Sequence, residues 1–278
     1  MKRFHKIYLE ISNLCNLRCS FCPGTKRPSK VMSEAEFSSL LPKLRPWSDY
    51  LYFHIMGEPL CHPLLARFLE LADEAGFRVI LTTNGSLLEK KKDSLLHSPA
   101  LHKVNISLHA FEANDYSIPF ETYLSQCFAY GLAAQGKKLT VYRLWNHGGA
   151  ENQNAAILTA MENAFPKPWT KERRGIRIAD HVYLEYGDKF DWPDLAAQDN
   201  GQQVFCYGLR DQIGVLCDGT VIPCCLDHEG DIPLGNLFHE GIEEILKKPR
   251  TKSIYEGFQN RKATEELCRK CGYARRFS

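Results

Sequence analysis

Three cysteines within eight residues, Cys15-Asn16-Leu17-Arg18-Cys19-Ser20-Phe21-Cys22, directly follow the short apolar run 6–12. The run reads as a β-strand, and the C-x3-C-x2-C stretch as the loop leaving its carboxyl end. Three thiolates on so short a loop can wrap three corners of an iron–sulfur cubane, which normally takes four. No fourth cysteine is nearby, so one iron would keep an open coordination position, as catalytic metals do. The alternative is zinc with a remote fourth ligand, the usual meaning of a lone C-x2-C.

The rest of the chain supplies a scaffold for such a loop. Short β-branched or aromatic runs at 6–12, 50–56, 78–83, 104–109, 139–145 and 181–186 alternate with amphipathic stretches. One helix opens at Ser33 with Glu36 three residues on, a capping box. The next begins at Pro63 and stops at Gly76, the proline-first, glycine-last asymmetry of helices. Further helices are expected over 87–96, 120–135 and 151–165. Strand–helix alternation builds parallel sheets through crossover units. Six units in about 190 residues fall short of a closed eight-unit barrel, which usually needs ~250. The expected fold is therefore α/β, a partial (β/α)6 TIM-like barrel over 1–199, with a doubly wound sheet as the alternative.

Alternation along these strands places polar groups on one face. Tyr8, Glu10 and Ser12 share a phase, as do Asn105, Ser107 and His109, and His181, Tyr183 and Glu185; His54 and Arg143 add to it. A barrel interior that repeatedly carries polar groups has a site within it, because buried polar groups need partners. For Glu10 and Arg143 a structural ion pair is as apt as ligand contact. From about residue 200 the rhythm changes. The segments 213–216 and 221–222 flank Asp218-Gly219 as a hairpin, with helices expected at 237–248 and 263–270. This 200–278 region has little apolar material of its own, and small domains of that kind commonly need a metal.

The chain of 278 residues holds eleven cysteines, an odd number that forbids complete pairing. No apolar run approaches the ~20 residues that span a bilayer, and the amino end has no secretory apolar stretch. A cytoplasmic protein is expected, where clustered cysteines mean metal or redox chemistry. Cys61 and Cys127 read as inert core cysteines.

The cysteine loop and the strand ends together resemble the radical S-adenosylmethionine (SAM) superfamily over most of the chain. The resemblance implies that Cys15, Cys19 and Cys22 ligate a 4Fe–4S cluster whose open iron is chelated by SAM. Reduction would cleave SAM to a 5′-deoxyadenosyl radical that takes a hydrogen atom from substrate. Met56-Gly57-Glu58-Pro59 is similar to the Gly-Gly-Glu-Pro stretch that binds the SAM amino group, with Met56 replacing the first glycine. By the same resemblance Phe21 would pack on adenine, and Ser107 and Arg143 would hold the carboxylate and ribose region. Asn84 and Trp145 complete the implied cofactor-binding set.

Cys206 and Cys224 bracket the hairpin, and Cys268-x2-Cys271 follows later. With Asp218-Gly219, Pro223-Cys224 and Gly235-Asn236-Leu237, this resembles the SPASM/twitch auxiliary domain. The resemblance implies a second, fully ligated auxiliary 4Fe–4S cluster on Cys206, Cys224, Cys268 and Cys271, as electron acceptor or relay. Cys225 and Cys217 compete with Cys224, and a four-cysteine zinc ribbon is the alternative.

Residues 244–278 carry ten Lys/Arg against four Asp/Glu. A solvated helix face is favoured over a docking patch for an acidic electron carrier or an RNA, and no RNA-binding motif accompanies it. The expected function is a radical SAM oxidoreductase or modifying enzyme acting on a small polar molecule or short peptide, with a flavodoxin or ferredoxin as reductant. Alternatives are a peptide- or RNA-modifying maturase and, from another class, a metal-stabilised binding or regulatory protein without turnover. The first strand begins at Lys6, which leaves no room before it for a leader-recognition domain and weighs against the leader-peptide maturase. No residue is singled out as a catalytic acid or base.

Overall fold

β1 (Lys6–Leu9) leads through the cysteine loop into α1 (Glu34–Leu44), and β2 (Tyr50–Phe53) leads into α2 (Leu65–Glu74). β3 (Arg78–Thr83) is followed by α3 (Leu88–His97), β4 (Leu101–Ser107) by α4 (Phe120–Ala134) and β5 (Leu139–His147) by α5 (Asn154–Ala164). A hairpin, β6 (Thr170–Glu172) and β7 (Gly175–Ala179), precedes β8 (Val182–Asp188). The last third holds β9 (Gln212–Val215), β10 (Thr220–Ile222), β11 (Gly235–Asn236), α6 (Ile242–Lys247), α7 (Pro249–Gln259) and α8 (Glu266–Arg269). This computed structural model describes residues 4–115, 118–173 and 175–277.

Strands β1, β2, β3, β4, β5 and β8 run parallel in that order, the six-strand arc of a partial barrel. Two features extend it beyond the sequence expectation. β7 and β6 continue the sheet past β8 in antiparallel fashion. At the other edge β9 pairs parallel with β1, so the carboxy-terminal hairpin is built onto the same sheet. The expected helix over 237–248 is shorter than the sequence suggested, and α7 was not foreseen. Pro249 stands in its first turn, where a missing N–H costs nothing.

The alternation of β1 divides its surroundings. Ile7, Leu9 and Ile11 are buried with Phe37, Leu40 and Leu44 of α1 and Phe68 of α2 in the main core. Phe37 stacks on Phe68 at 4.1 Å and meets Phe53 edge-on at 5.8 Å. Tyr8 points to the other face, into a second small cluster with Ile55, Leu216 and Ile222, against which Tyr52 and Cys225 pack. The Ser33–Glu36 capping box forms as expected, with Ser33 N–H donating to Glu36 Oε2 at 2.8 Å and Glu36 N–H donating to Ser33 Oγ at 3.2 Å.

Gly57, in the turn after β2, is where the chain passes under the cysteine loop. Its φ of +78° is left-handed, and a Cβ there would lie 2.3 Å from the Ser12 carbonyl oxygen and 2.8 Å from that of Leu14. Gly24, at φ +66°, has nothing within 4 Å of that position. Gly24→Ala should therefore cost only the left-handed penalty of about 1–2 kcal/mol. Gly57→Ala should cost clearly more, because backbone on both sides must move. Thermal unfolding of the two variants checks the order, and equal losses would contradict it.

Candidate functional site

The cysteine loop is closed at its neck. Ser12 bridges to Val31, Asn13 Nδ2 donates to the Pro28 carbonyl at 2.8 Å, and Lys30 N–H donates to Asn13 Oδ1 at 2.8 Å. Within it Cys22 N–H donates to the Cys19 carbonyl at 2.9 Å, turning the chain so that the cysteines share one small loop. Desolvation by the surrounding protein pushes the Cys15 thiol up to about 11 and raises Cys19 and Cys22 as well. Cys19 feels the charge of Cys22, and Cys15 that of Cys19. Three neighbouring thiols that resist ionisation alone are the donor set a cationic cluster would ionise, releasing protons as it bound.

The other strand ends meet this loop. Met56 N–H donates to Glu10 Oε1 at 3.3 Å and Glu58 N–H to the Leu14 carbonyl at 2.8 Å. The Glu58 carbonyl accepts from Cys61 N–H at 2.9 Å and that of Pro59 from His62 N–H at 3.1 Å, which leaves the carbonyls of Met56 and Gly57 to offer an ammonium group. The buried Glu58 carboxylate accepts from Thr83 Oγ1 at 2.7 Å, Asn84 N–H at 2.7 Å and Leu60 N–H at 3.0 Å; burial raises it to about 7. It braces β2 against β3. Asn84 Nδ2 donates to Asn16 Oδ1 at 3.0 Å and lies 4.0 Å from Cys15 Sγ, so this amide reaches the cysteine loop.

Ser107, Arg143 and Glu185 are register partners across β4, β5 and β8. Arg143 Nε donates to Glu185 Oε2 at 3.0 Å, and the guanidinium lies 4.4 Å from the Trp145 ring centroid. Burial lowers the Arg143 pKa, and Glu185 opposes that shift. Glu10 pairs with Arg27 at 2.6 Å, so both groups left open between ion pair and ligand contact are in ion pairs. Phe21 sits at the mouth, 38% exposed, its ring 5.0 Å from that of His109. The sequence reading did not anticipate Asn114, whose Nδ2 donates to Cys19 Sγ at 3.1 Å, or the position of Cys61. The latter is half-buried on the turn Pro59–Cys61, near enough for its charge to raise Cys15, rather than in the core. Cys127 is a buried core residue as expected.

Cys206, Cys224, Cys268 and Cys271 line one recess, with Val204, Phe258 and Leu267 among its apolar walls. Burial pushes Cys206 up to about 11 and raises the other three. Cys224 is raised further by Cys206, Cys271 and Cys268, placing four thiols in each other's field. An apolar recess with four such donors fits a fully ligated cluster. Cys225 is absent from this lining and hydrogen-bonds Tyr8 on the barrel side. Cys217 is buried beside Glu10 and Arg27 instead. Among the described residues no three His, Cys, Asp or Glu side chains converge to hold a single metal ion; thiols round a cubane need not, since each binds its own iron.

Part of the basic end is paired with carboxylates. Lys248 pairs with Glu240, Arg250 with Glu265, Arg269 with Asp199 and Lys270 with Glu266. Among the described residues no helix is long and apolar enough to cross a membrane.

The sequence model of the radical SAM superfamily matches residues 9–124, and that of an iron–sulfur cluster-binding domain, SPASM, matches residues 206–272. Similar proteins include the SAM-dependent 2-deoxy-scyllo-inosamine dehydrogenase of Niallia circulans, 21% identical over 97% of this chain and 93% of that protein. The GTP 3′,8-cyclase of Microcystis aeruginosa is 29% identical over 90% of each. Among solved structures, BtrN in complex with AdoMet and 2-DOIA superposes with a TM-score of 0.63 at 19% identity, over 98% of this chain and 94% of that one. SAM-bound SuiB of Streptococcus suis gives 0.64 at 15% identity, over 91% and 68%.

Two clusters of four irons require about eight iron and eight sulfide per chain after anaerobic reconstitution. Replacing Cys15, Cys19 and Cys22 together by Ala should leave about half of that; stoichiometric zinc without iron would contradict the assignment. His54, buried in the barrel, has its pKa pushed down to about 3 by desolvation and then by Arg143 and Lys6. Its imidazole should remain neutral across about pH 5.5 to 8, the range through which an ordinary histidine charges. Nitrogen chemical shifts of labelled histidine check this, and a titration near pH 6.5 would contradict it.

Proposed function

We propose, for a chain that belongs to the radical SAM superfamily and carries a SPASM iron–sulfur domain, that it oxidises a small hydroxylated molecule held inside the barrel. Residues 1–199 form the barrel and 200–278 the auxiliary unit in this reading. Cys15, Cys19 and Cys22 hold the SAM-binding cluster, and Cys206, Cys224, Cys268 and Cys271 the second one. When bound, the first cluster and SAM supply a 5′-deoxyadenosyl radical that takes a hydrogen atom from the substrate.

The observation that carries the reading is a set of unpartnered polar atoms on the inner face. His54 Nδ1, Asn105 Oδ1 and Trp145 Nε1 are buried without a hydrogen-bond partner. Their strand neighbours Phe53, Val104, Ile106 and Leu144 face the helix-side core, so alternation turns all three inward. Buried polar groups of this kind await partners. A donor, an acceptor and an imidazole suit hydroxyl groups, which both give and accept. Arg143, Glu185, Ser107 and Asn84 would orient the cofactor at the strand ends, with Phe21 covering it, and the Met56-Gly57-Glu58-Pro59 stretch would hold its amino group.

Two-electron oxidation needs somewhere for the second electron to go. Tyr273 and Cys224 line the auxiliary recess, and Cys225, the next residue, packs against and hydrogen-bonds Tyr8 of the inner face. The recess and the interior therefore share a wall, which supports the auxiliary site as electron acceptor. The likeness to the inosamine dehydrogenase, running over nearly the full length of both chains, supports a small-molecule substrate. A flavodoxin or ferredoxin would deliver the reducing electron.

With dithionite and SAM the reconstituted protein should release 5′-deoxyadenosine, and the triple Cys→Ala variant of the first loop should release none. Cys268→Ala/Cys271→Ala should still cleave SAM while oxidised product falls at least about tenfold, since the acceptor is gone. Undiminished oxidised product from a protein shown to lack the second cluster would overturn the acceptor role.

A further inference from the structure

Asn114 lies just past the carboxyl end of β4, on the loop that closes over the cysteines. Its side chain makes three contacts. Oδ1 accepts the Arg18 N–H at 2.8 Å, Nδ2 donates to the Ala110 carbonyl at 2.7 Å, and Nδ2 also donates to Cys19 Sγ at 3.1 Å. These partners fix which end of the amide is which. The reversed amide would set N–H against N–H at Arg18 and oxygen against oxygen at Ala110. The N–H facing the sulfur is thus dictated by the backbone on either side. Ser20 N–H donates to the Ala113 carbonyl at 3.1 Å, so the two loops are held together independently of Asn114.

Resting on the reading that Cys19 is a cluster ligand, we infer that Asn114 is a positioning residue that tunes the SAM-binding cluster through an N–H···S hydrogen bond. Reduction adds negative charge that is shared by the ligating sulfurs. A donor held on one of them stabilises the reduced state more than the oxidised state and raises the potential. Asn84, 4.0 Å from Cys15 Sγ, has its amide committed to Asn16 and Ser86 and contributes less. Cys22 Sγ accepts from the Gly24 backbone. Asn114 therefore brings the short side-chain contact to the three sulfurs, and it does so from a different strand end than the loop itself.

The test is an EPR-monitored redox titration of the full chain with both clusters loaded, following the signal that SAM alters, since only a cluster with an open iron responds to SAM. Asn114→Asp keeps the acceptor for Arg18 N–H and removes the donor; Asn114→Ala removes both. In Asn114→Ala the reduced-to-oxidised ratio at the wild-type midpoint should fall by about three- to tenfold, the differential worth of one hydrogen bond to a charged acceptor, a tenfold change being 59 mV for a one-electron couple; in Asn114→Asp, whose carboxylate also sets a negative charge beside Cys19, it should fall at least as far. The wild-type reduced cluster should also show hyperfine coupling to an exchangeable proton that is lost in deuterated solvent and in Asn114→Ala. Unchanged midpoints and unchanged coupling, in variants that retain the SAM-sensitive signal, would overturn the tuning role and leave Asn114 a loop clamp. A wild-type protein with no SAM-sensitive signal would instead overturn the ligand reading on which the inference rests.

Discussion

The buried carboxylate of Glu10 ties four segments of the chain at one point. It accepts from Arg27 Nη2 at 2.6 Å and Nη1 at 2.9 Å, from Cys217 N–H at 3.1 Å and from Met56 N–H at 3.3 Å. Those donors come from the far arm of the cysteine loop, the turn after β9 and the end of β2. Arg27 Nε reaches on to the His228 carbonyl at 2.8 Å. A buried ion pair with all its hydrogen bonds met is weak evidence of net stability, but losing one partner is expensive, of order 3–5 kcal/mol. What this pair supplies is register. It fixes where the cysteine loop returns, relative to both the barrel and the auxiliary hairpin.

The relation of the two cluster sites follows from that geometry. β9 lies beside β1, and the cysteine loop leaves the carboxyl end of β1, so the auxiliary hairpin and the first site flank one strand. Tyr8 of the same strand faces Cys225, the neighbour of Cys224. The auxiliary unit is thus an extension of the barrel sheet.

Much of this was legible in the chain because the determinants are local. The capping box at Ser33, the Gly76 stop and the inward phase of Tyr8, His54 and Asn105 are patterns within one element, and the elements kept them. The C-x3-C-x2-C spacing put three thiols on one short loop for the same reason. What the sequence hid are pairings between distant segments. Arg27 with Glu10, Asn114 with Cys19 and Glu58 with Thr83 and Asn84 are each ordinary polar residues until the fold brings them together. The parallel seat of β9 against β1 was hidden likewise, since a four-residue strand carries no mark of its partner. Pro249 did mark the start of α7; the helix was overlooked because its apolar positions, Ile254 and Phe258, are few.

One of the two clusters is proposed to keep an iron for SAM while the other is closed by four cysteines. Mössbauer spectra of the chain reconstituted with iron-57, taken before and after SAM is added, test it directly. About eight irons per chain in two 4Fe–4S clusters are expected, with one iron in the eight shifting on SAM addition and the other seven unchanged. A spectrum indifferent to SAM, or one in which an iron of the auxiliary cluster responds instead, would contradict it.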